Sequence, residues 1–247
     1  MMSMRFSALA LTTMLAIPSV SLAEESKDSF LPGTFSGSAA LTTDYMFRGI
    51  SQTDESPAVQ AGFTYKQNID EAAGFYLGLW SSNVDYNDND DTSMELDYIG
   101  GVTYQIDKLS LDAGFIYYTY LGAESFRNYD YLDVQLTAGY DFDVAYVLGS
   151  IYYSPDYFGG SGDAYYTKLA AEVPLPKDFT LTGSVGRMVI DENATYGTPD
   201  YYTWTVGTKY NLEGFDLLLE YVDTDMNDNE CSGLCGERAV FTVARSF

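Results

Sequence analysis

The sequence predicts an all-β protein, a single transmembrane antiparallel β-barrel of about twelve strands. Three observations carry this. Segments of roughly 9 to 13 residues alternate apolar and polar side chains with a period of two, the length of tilted membrane strands. The connections alternate between short ones and ones that are mostly longer and richer in Asp, Asn, Gly and Ser. The chain ends on an apolar-faced strand and an aromatic residue, Phe247.

Residues 1–23 read as a secretory signal peptide. Arg5 gives a positive start, residues 6–17 are apolar or small, and Ser21 and Ala23 supply the small-x-small spacing for cleavage after Ala23. No later stretch approaches the roughly 18 to 20 apolar residues of a membrane helix, so membrane entry requires a closed barrel. Residues 24–34 form a polar periplasmic leader, and 35–247 form the barrel domain.

The strands are expected at 35–47, 57–67, 74–84, 94–106, 109–120 and 128–140. The second half continues with 144–153, 164–173, 179–189, 201–210, 215–222 and 239–247. In 94–106, Met94, Leu96, Tyr98, Val102 and Tyr104 oppose Glu95, Asp97, Thr103 and Gln105. In 128–140, Leu132, Val134, Leu136 and Ala138 oppose Tyr131, Asp133, Gln135 and Thr137. Connections 68–73, 107–108, 141–143, 174–178 and 211–214 are tight turns, whereas 87–92, 154–163, 191–200 and 223–238 are longer and rich in Asp, Asn, Gly and Ser. Short periplasmic turns and longer outer loops are the pattern of a bacterial outer-membrane barrel. A soluble sandwich would favour strands nearer 5 to 6 residues and no such alternation. Tyrosines near strand ends, such as Tyr117, Tyr118, Tyr120, Tyr152, Tyr153, Tyr201 and Tyr202, are expected to form interfacial girdles.

The chain carries 12 Lys and Arg against 36 Asp and Glu, a net charge of −24, which excludes nucleic acid as a partner. With 16% aromatic residues it is not disordered in character. The absence of histidine removes Ser-His-Asp and His-ligated metal chemistry. Paired carboxylates such as Glu95 and Asp97 share a strand face, yet no nucleophile elbow or phosphate loop accompanies them, and no enzyme activity, cofactor or metal is expected. The acidic loops at 88–91 and 223–230 place oxygen ligands close together, but read as solvated tips. Cys231 and Cys235 read as a disulfide stapling one loop of an exported protein.

The face set towards the lumen includes Asp44, Thr64, Glu95, Asp97, Thr103, Gln105, Asp112, Tyr118, Asp133, Gln135, Lys168 and Glu220. Basic residues sit near strand ends, Arg48 and Arg238 on the outer side among them, with Lys168 near mid-height. An anion pore wants a ring of Arg or Lys, so this pattern favours cations or small neutral or zwitterionic solutes. A narrow barrel can instead fill its interior with side chains, which makes a plugged structural or surface-interaction barrel the alternative. Tyr118 beside Asp97 also offers a ring face to a methylated amine.

The run 44–65, containing Asp44, Tyr45, Phe47, Arg48, Gly49, Ser51 and Gln52, resembles the opening signature of the TorF-like porins of proteobacteria. The blocks 74–85 and 95–98 are similar to the family's next motif. The resemblance implies an outer-membrane barrel with pore function, and assigns no catalytic or ligand residue. The tail resembles the closing strand of such barrels, with Phe241, Val243 and Phe247 as the signal read by the barrel-assembly machinery and Arg245 as a departure from it. The expected partners are outer-membrane lipid and lipopolysaccharide, that machinery and small solutes. The oligomeric state is left open.

Overall fold

The structure is a computed structural model that describes residues 32–88 and 90–247. The signal peptide read at 1–23 and most of the leader lie outside the described residues. Period-two patterning becomes a closed antiparallel barrel of twelve strands. The first is β1 (Thr34–Thr42), followed by a small hairpin of β2 (Met46–Phe47) and β3 (Ile50–Ser51) that stands apart from the barrel wall. The wall continues with β4 (Ala58–Asn68), β5 (Ala73–Asn83), β6 (Met94–Ile106), β7 (Leu109–Leu121), β8 (Tyr131–Asp141) and β9 (Tyr146–Ser154). It ends with β10 (Ala164–Pro174), β11 (Phe179–Ile190), β12 (Tyr201–Leu212), β13 (Phe215–Thr224) and β14 (Arg238–Ser246). Each wall strand pairs with its neighbour in the chain, and β1 pairs with β14 through Ser38–Ser246 to Thr42–Thr242, which leaves no open edge.

The pattern is inside out relative to a water-soluble fold. Along β8, Tyr131, Asp133, Gln135 and Thr137 are buried while Val134, Leu136 and Ala138 are exposed. The outer surface is an apolar band in which Val59, Leu77, Leu136, Leu169 and Leu219 are all more than half exposed. That is the surface a barrel presents to hydrocarbon.

Three expectations need correction. The first strand does not run to residue 47: it stops at Thr42, and residues 43–57 turn into the lumen. The sixth and seventh wall strands begin later than read, at Tyr131 and Tyr146: Tyr129 and Asp130 bond loop and strand-end groups, and residues 142–145 close a turn through the Phe142 amide and the Ala145 carbonyl at 2.9 Å. The tyrosine girdle holds for one face alone. Tyr98, Tyr117, Tyr165, Tyr202 and Tyr221 point outward, whereas Tyr118, Tyr120, Tyr152, Tyr166 and Tyr201 are buried inside. Neighbouring tyrosines on one strand cannot share a face.

Those inward tyrosines fill the loop half of the barrel. Tyr118 stacks on Tyr131 at 4.3 Å between ring centroids, and Tyr129 stacks on Phe158 at 4.2 Å. Met188, Ile190, Met226 and Ile116 join the same buried cluster. The core therefore sits inside the barrel at its loop end, and the turn end retains cavities.

Candidate functional site

The motif residues 44–52 leave the wall because a tight turn forces them to. Arg48 and Gly49 have φ of 49° and 84°, so both central residues of the two-residue turn are left-handed, as a type I′ hairpin requires. Gly49 is needed twice: a Cβ there would lie 2.5 Å from Thr224 Cγ2 and 2.7 Å from Thr203 Oγ1. The hairpin tip is thus pressed against the inner wall of β12 and the end of β13.

Asp44 anchors the base of this plug. Its carboxylate accepts from Ser51 Oγ at 2.7 Å, Thr53 Oγ1 at 3.0 Å and the Arg238 guanidinium at 2.7 Å. Arg238 also holds Glu55 at 3.0 Å. Across the lumen, the Tyr45 hydroxyl donates to Glu95 at 3.0 Å. The Ser51 amide donates to the Leu234 carbonyl at 2.8 Å, inside the loop closed by the Cys231–Cys235 disulfide. Thr224 Oγ1 fastens that loop through the Cys235 carbonyl at 3.0 Å.

Arg48 sits at the centre, and this corrects its expected position at the outer rim. Its side chain is 4% exposed and pairs with fully buried Asp133 at 2.5 Å. Phe47 and Tyr166 lie 4.7 Å from the guanidinium carbon, and Tyr152 lies at 5.4 Å. Asp133 also accepts from Ser154 Oγ and, at 3.3 Å, from Tyr118. Removing either charge strands the other in a water-poor core. Asp97 is fully buried with Glu95 and Asp133 as acidic neighbours, and no cation contacts it among the described residues. One guanidinium thus serves an acid-rich centre. Tyr118 has its ring stacked on Tyr131 and edge-on to Phe47, so it packs the plug and has no ring face to spare for an amine.

Of the other lumen candidates, Asp112 accepts from Tyr76 at 3.1 Å and from Gln135 at 3.0 Å, beside a cavity of about 250 Å³ at the turn end. Thr103 and Lys66 line the same cavity. Lys168 and Glu220 line a second cavity, of about 220 Å³, roofed by Met46, Phe47, Arg48 and Gly49. The structure therefore separates the candidates into a plug centre (Asp44, Glu95, Asp97, Tyr118, Asp133) and two chambers beneath it.

The acidic loops bind themselves. Arg127 reaches Asp88 and Asp90 at 3.4 Å each, and the Tyr129 hydroxyl donates to Asp88. A hydrogen bond from the Thr92 hydroxyl holds the Asp90 carboxyl below the usual carboxylate range, against the effect of burial. Asp225 accepts from the Tyr202 amide at 2.7 Å, and Glu230 from the Asn227 amide at 2.9 Å.

The inserted plug escaped the sequence reading, although its signal was present. Arg48-Gly49 is a turn pair, but residues 43–47 read as the end of the first strand and 48–56 as an outer connection. Because the disulfide loop clasps Ser51, Cys231→Ser with Cys235→Ser is expected to loosen the plug while leaving the barrel closed. Single-channel traces should gain brief openings with heat-modifiable gel mobility unchanged. Identical traces with and without the disulfide would remove the clasp from the account.

A family model described as "Bacterial protein of unknown function (Gcw_chp)" matches residues 26–247. No curated protein matches by sequence. Among solved structures, the fold is similar to the KdgM porin in complex with oligogalacturonate, at a TM-score of 0.53 and 9% identity over 87% of this chain and 98% of that one. An outer membrane channel from Pseudomonas putida F1 gives 0.53 at 9% identity, over 92% and 100%. The NanC porin gives 0.52 at 8% identity, over 87% and 99%. At such identities the likeness is one of fold. None of these matches carries the TorF-like name, which rests on the motif residues alone.

Proposed function

The chain belongs to the Gcw_chp family of bacterial proteins, and we propose that it is an outer-membrane, porin-like channel for passive diffusion of small solutes. In this reading, the hairpin at 43–57 and the tyrosine cluster are what restrict passage at the loop end. The observation that carries this reading is the pair of chambers beneath the plug, each with charged and hydroxyl side chains among its lining, inside a barrel whose outside is apolar. The acid-rich centre of Glu95, Asp97 and Asp133 supports a preference for cations or for small neutral or zwitterionic solutes. Permeation rather than catalysis is the proposed work of these carboxylates. Outer-membrane lipid and lipopolysaccharide would surround the apolar band, and the assembly machinery would read the β14 tail.

Reconstitution in a planar bilayer tests the reading. Discrete conductance steps are expected, with a reversal potential in a salt gradient of the cation-selective sign. Anion selectivity would sink the charge argument. A second reading, a plugged structural barrel acting through its acidic loops, is favoured by the filled loop half and predicts persistent silence in the same experiment.

A further inference from the structure

The chamber under the hairpin tip holds two opposite charges that are not joined. Of its six charged lining residues, Lys209 and Glu172 form an ion pair at 3.7 Å, Arg48 pairs with Asp133 at 2.5 Å, and Asp216 accepts from Asn211 at 2.8 Å. The side chains of Lys168 on β10 and Glu220 on β13 make no hydrogen bond or ion-pair contact with any described residue, although each is the strongest opposite-charge influence on the other. Both strands set them inward by alternation, Lys168 between outward Thr167 and Leu169 and Glu220 beside outward Leu219 and Tyr221. The wall between them is made of hydroxyls, with Ser184 Oγ and Thr205 Oγ1 hydrogen-bonded at 2.9 Å. Glu220 is held to its place by close approach, since a Cβ on Gly207 would meet its Cγ at 2.6 Å.

A space of about 220 Å³ has room for several non-hydrogen atoms beyond a single water, whose share of liquid volume is about 30 Å³. A half-buried ammonium and a half-buried carboxylate across such a space are each stabilised by a charged partner brought to contact. One molecule carrying both charges satisfies both walls at once and leaves the chamber neutral. A molecule with a single charge leaves one wall unmatched.

We infer that this chamber is a binding site for a small zwitterion of the amino-acid type, its carboxylate on Lys168 and its ammonium on Glu220. The inference rests on the channel reading for its purpose, not for its chemistry. Phe47 and Arg48 form the roof, so the occupant touches the plug.

The test is titration calorimetry on the refolded full barrel in detergent micelles. The probes are the unbranched amino acids from glycine to 4-aminobutyrate, with butyrate and butylammonium as single-charge controls. At least one amino acid should bind, with both controls about ten- to hundredfold weaker. Lys168→Met and Glu220→Gln, each shown folded by heat-modifiable mobility, should each weaken the amino acid by a similar factor. The swap of Lys168→Glu with Glu220→Lys restores both charges and should recover most of the affinity. Absence of binding across the series, equal binding of the controls, or indifference to both single substitutions would overturn the site. Binding in micelles with a silent bilayer overturns the channel and keeps the site. Conductance without binding does the reverse.

Discussion

Arg48→Ala is expected to destabilise the barrel and to open it. The guanidinium is the sole cation in contact with Asp133 among the described residues, and both groups are buried. Truncating one partner of such a pair costs about 3–5 kcal/mol, because the remaining carboxylate stays in a core that cannot solvate it. The loss is compounded by the aromatic faces of Phe47 and Tyr166, which lose their cation. The hairpin would keep the close fit of Gly49, the Ser51 bonds to Leu234 and Asp44, and the Tyr45 bond to Glu95, but lose its central charge pair. Thermal unfolding followed by gel mobility should shift down by several degrees, and bilayer conductance should rise in amplitude or open time. Arg48→Lys retains charge without the planar fork, so it should recover part of the stability and little of the packing. Arg48→Met combined with Asp133→Asn removes both charges together and should be milder than Arg48→Ala. If Arg48→Ala left both conductance and stability unchanged, the central pair would not be what holds the plug.

The barrel was legible in the sequence because two signals repeat along it. Alternation set Leu132, Val134 and Leu136 outward against Asp133 and Gln135, and loop length set the direction of each strand. Both are local, so both survive without knowledge of the fold. The plug is not local. Residues 43–47 read as the end of a strand and 48–56 as a connection, and what draws them inward is a set of partners far along the chain: Glu95, Asp133, Arg238 and Leu234. No spacing rule announces those pairings. The same limit explains the tyrosines. Periodicity shows that Tyr117 and Tyr118 face opposite ways, but not that the inner one meets Tyr131 instead of water. Arg48 follows the strand end expected at 47, which places it at the outer rim, and its carboxylate partner lies 85 residues away in the chain.

Deleting Phe247 is expected to have the second large effect, and on assembly more than on the closed structure. The last residue completes the seam: its amide donates to the Gly37 carbonyl at 3.0 Å, and its carbonyl accepts from the Gly37 amide at 2.8 Å. Without it, β1 presents an unpaired N–H and C=O at the point where the sheet closes. In hydrocarbon each unsatisfied backbone group costs several kcal/mol. The ring has a seat of its own, since a Cβ on Gly37 would stand 2.5 Å from Phe247 Cε2. That seat explains a glycine in β1 and predicts that Gly37→Val displaces the ring. Arg245 does not spoil the seam, because its guanidinium lies 4.7 Å over the Phe215 ring on the outer face, near the chain end where a long basic side chain can reach water. The deletion should therefore reduce the heat-modifiable folded fraction several-fold during refolding into lipid vesicles, and Gly37→Val should act in the same direction less strongly. Phe247→Leu keeps both backbone bonds and separates the roles: near-normal folding would assign the effect to the hydrogen-bonded seam, and a loss equal to deletion would assign it to the ring. Unchanged folding of the deleted chain would show that the seam closes without its last pair.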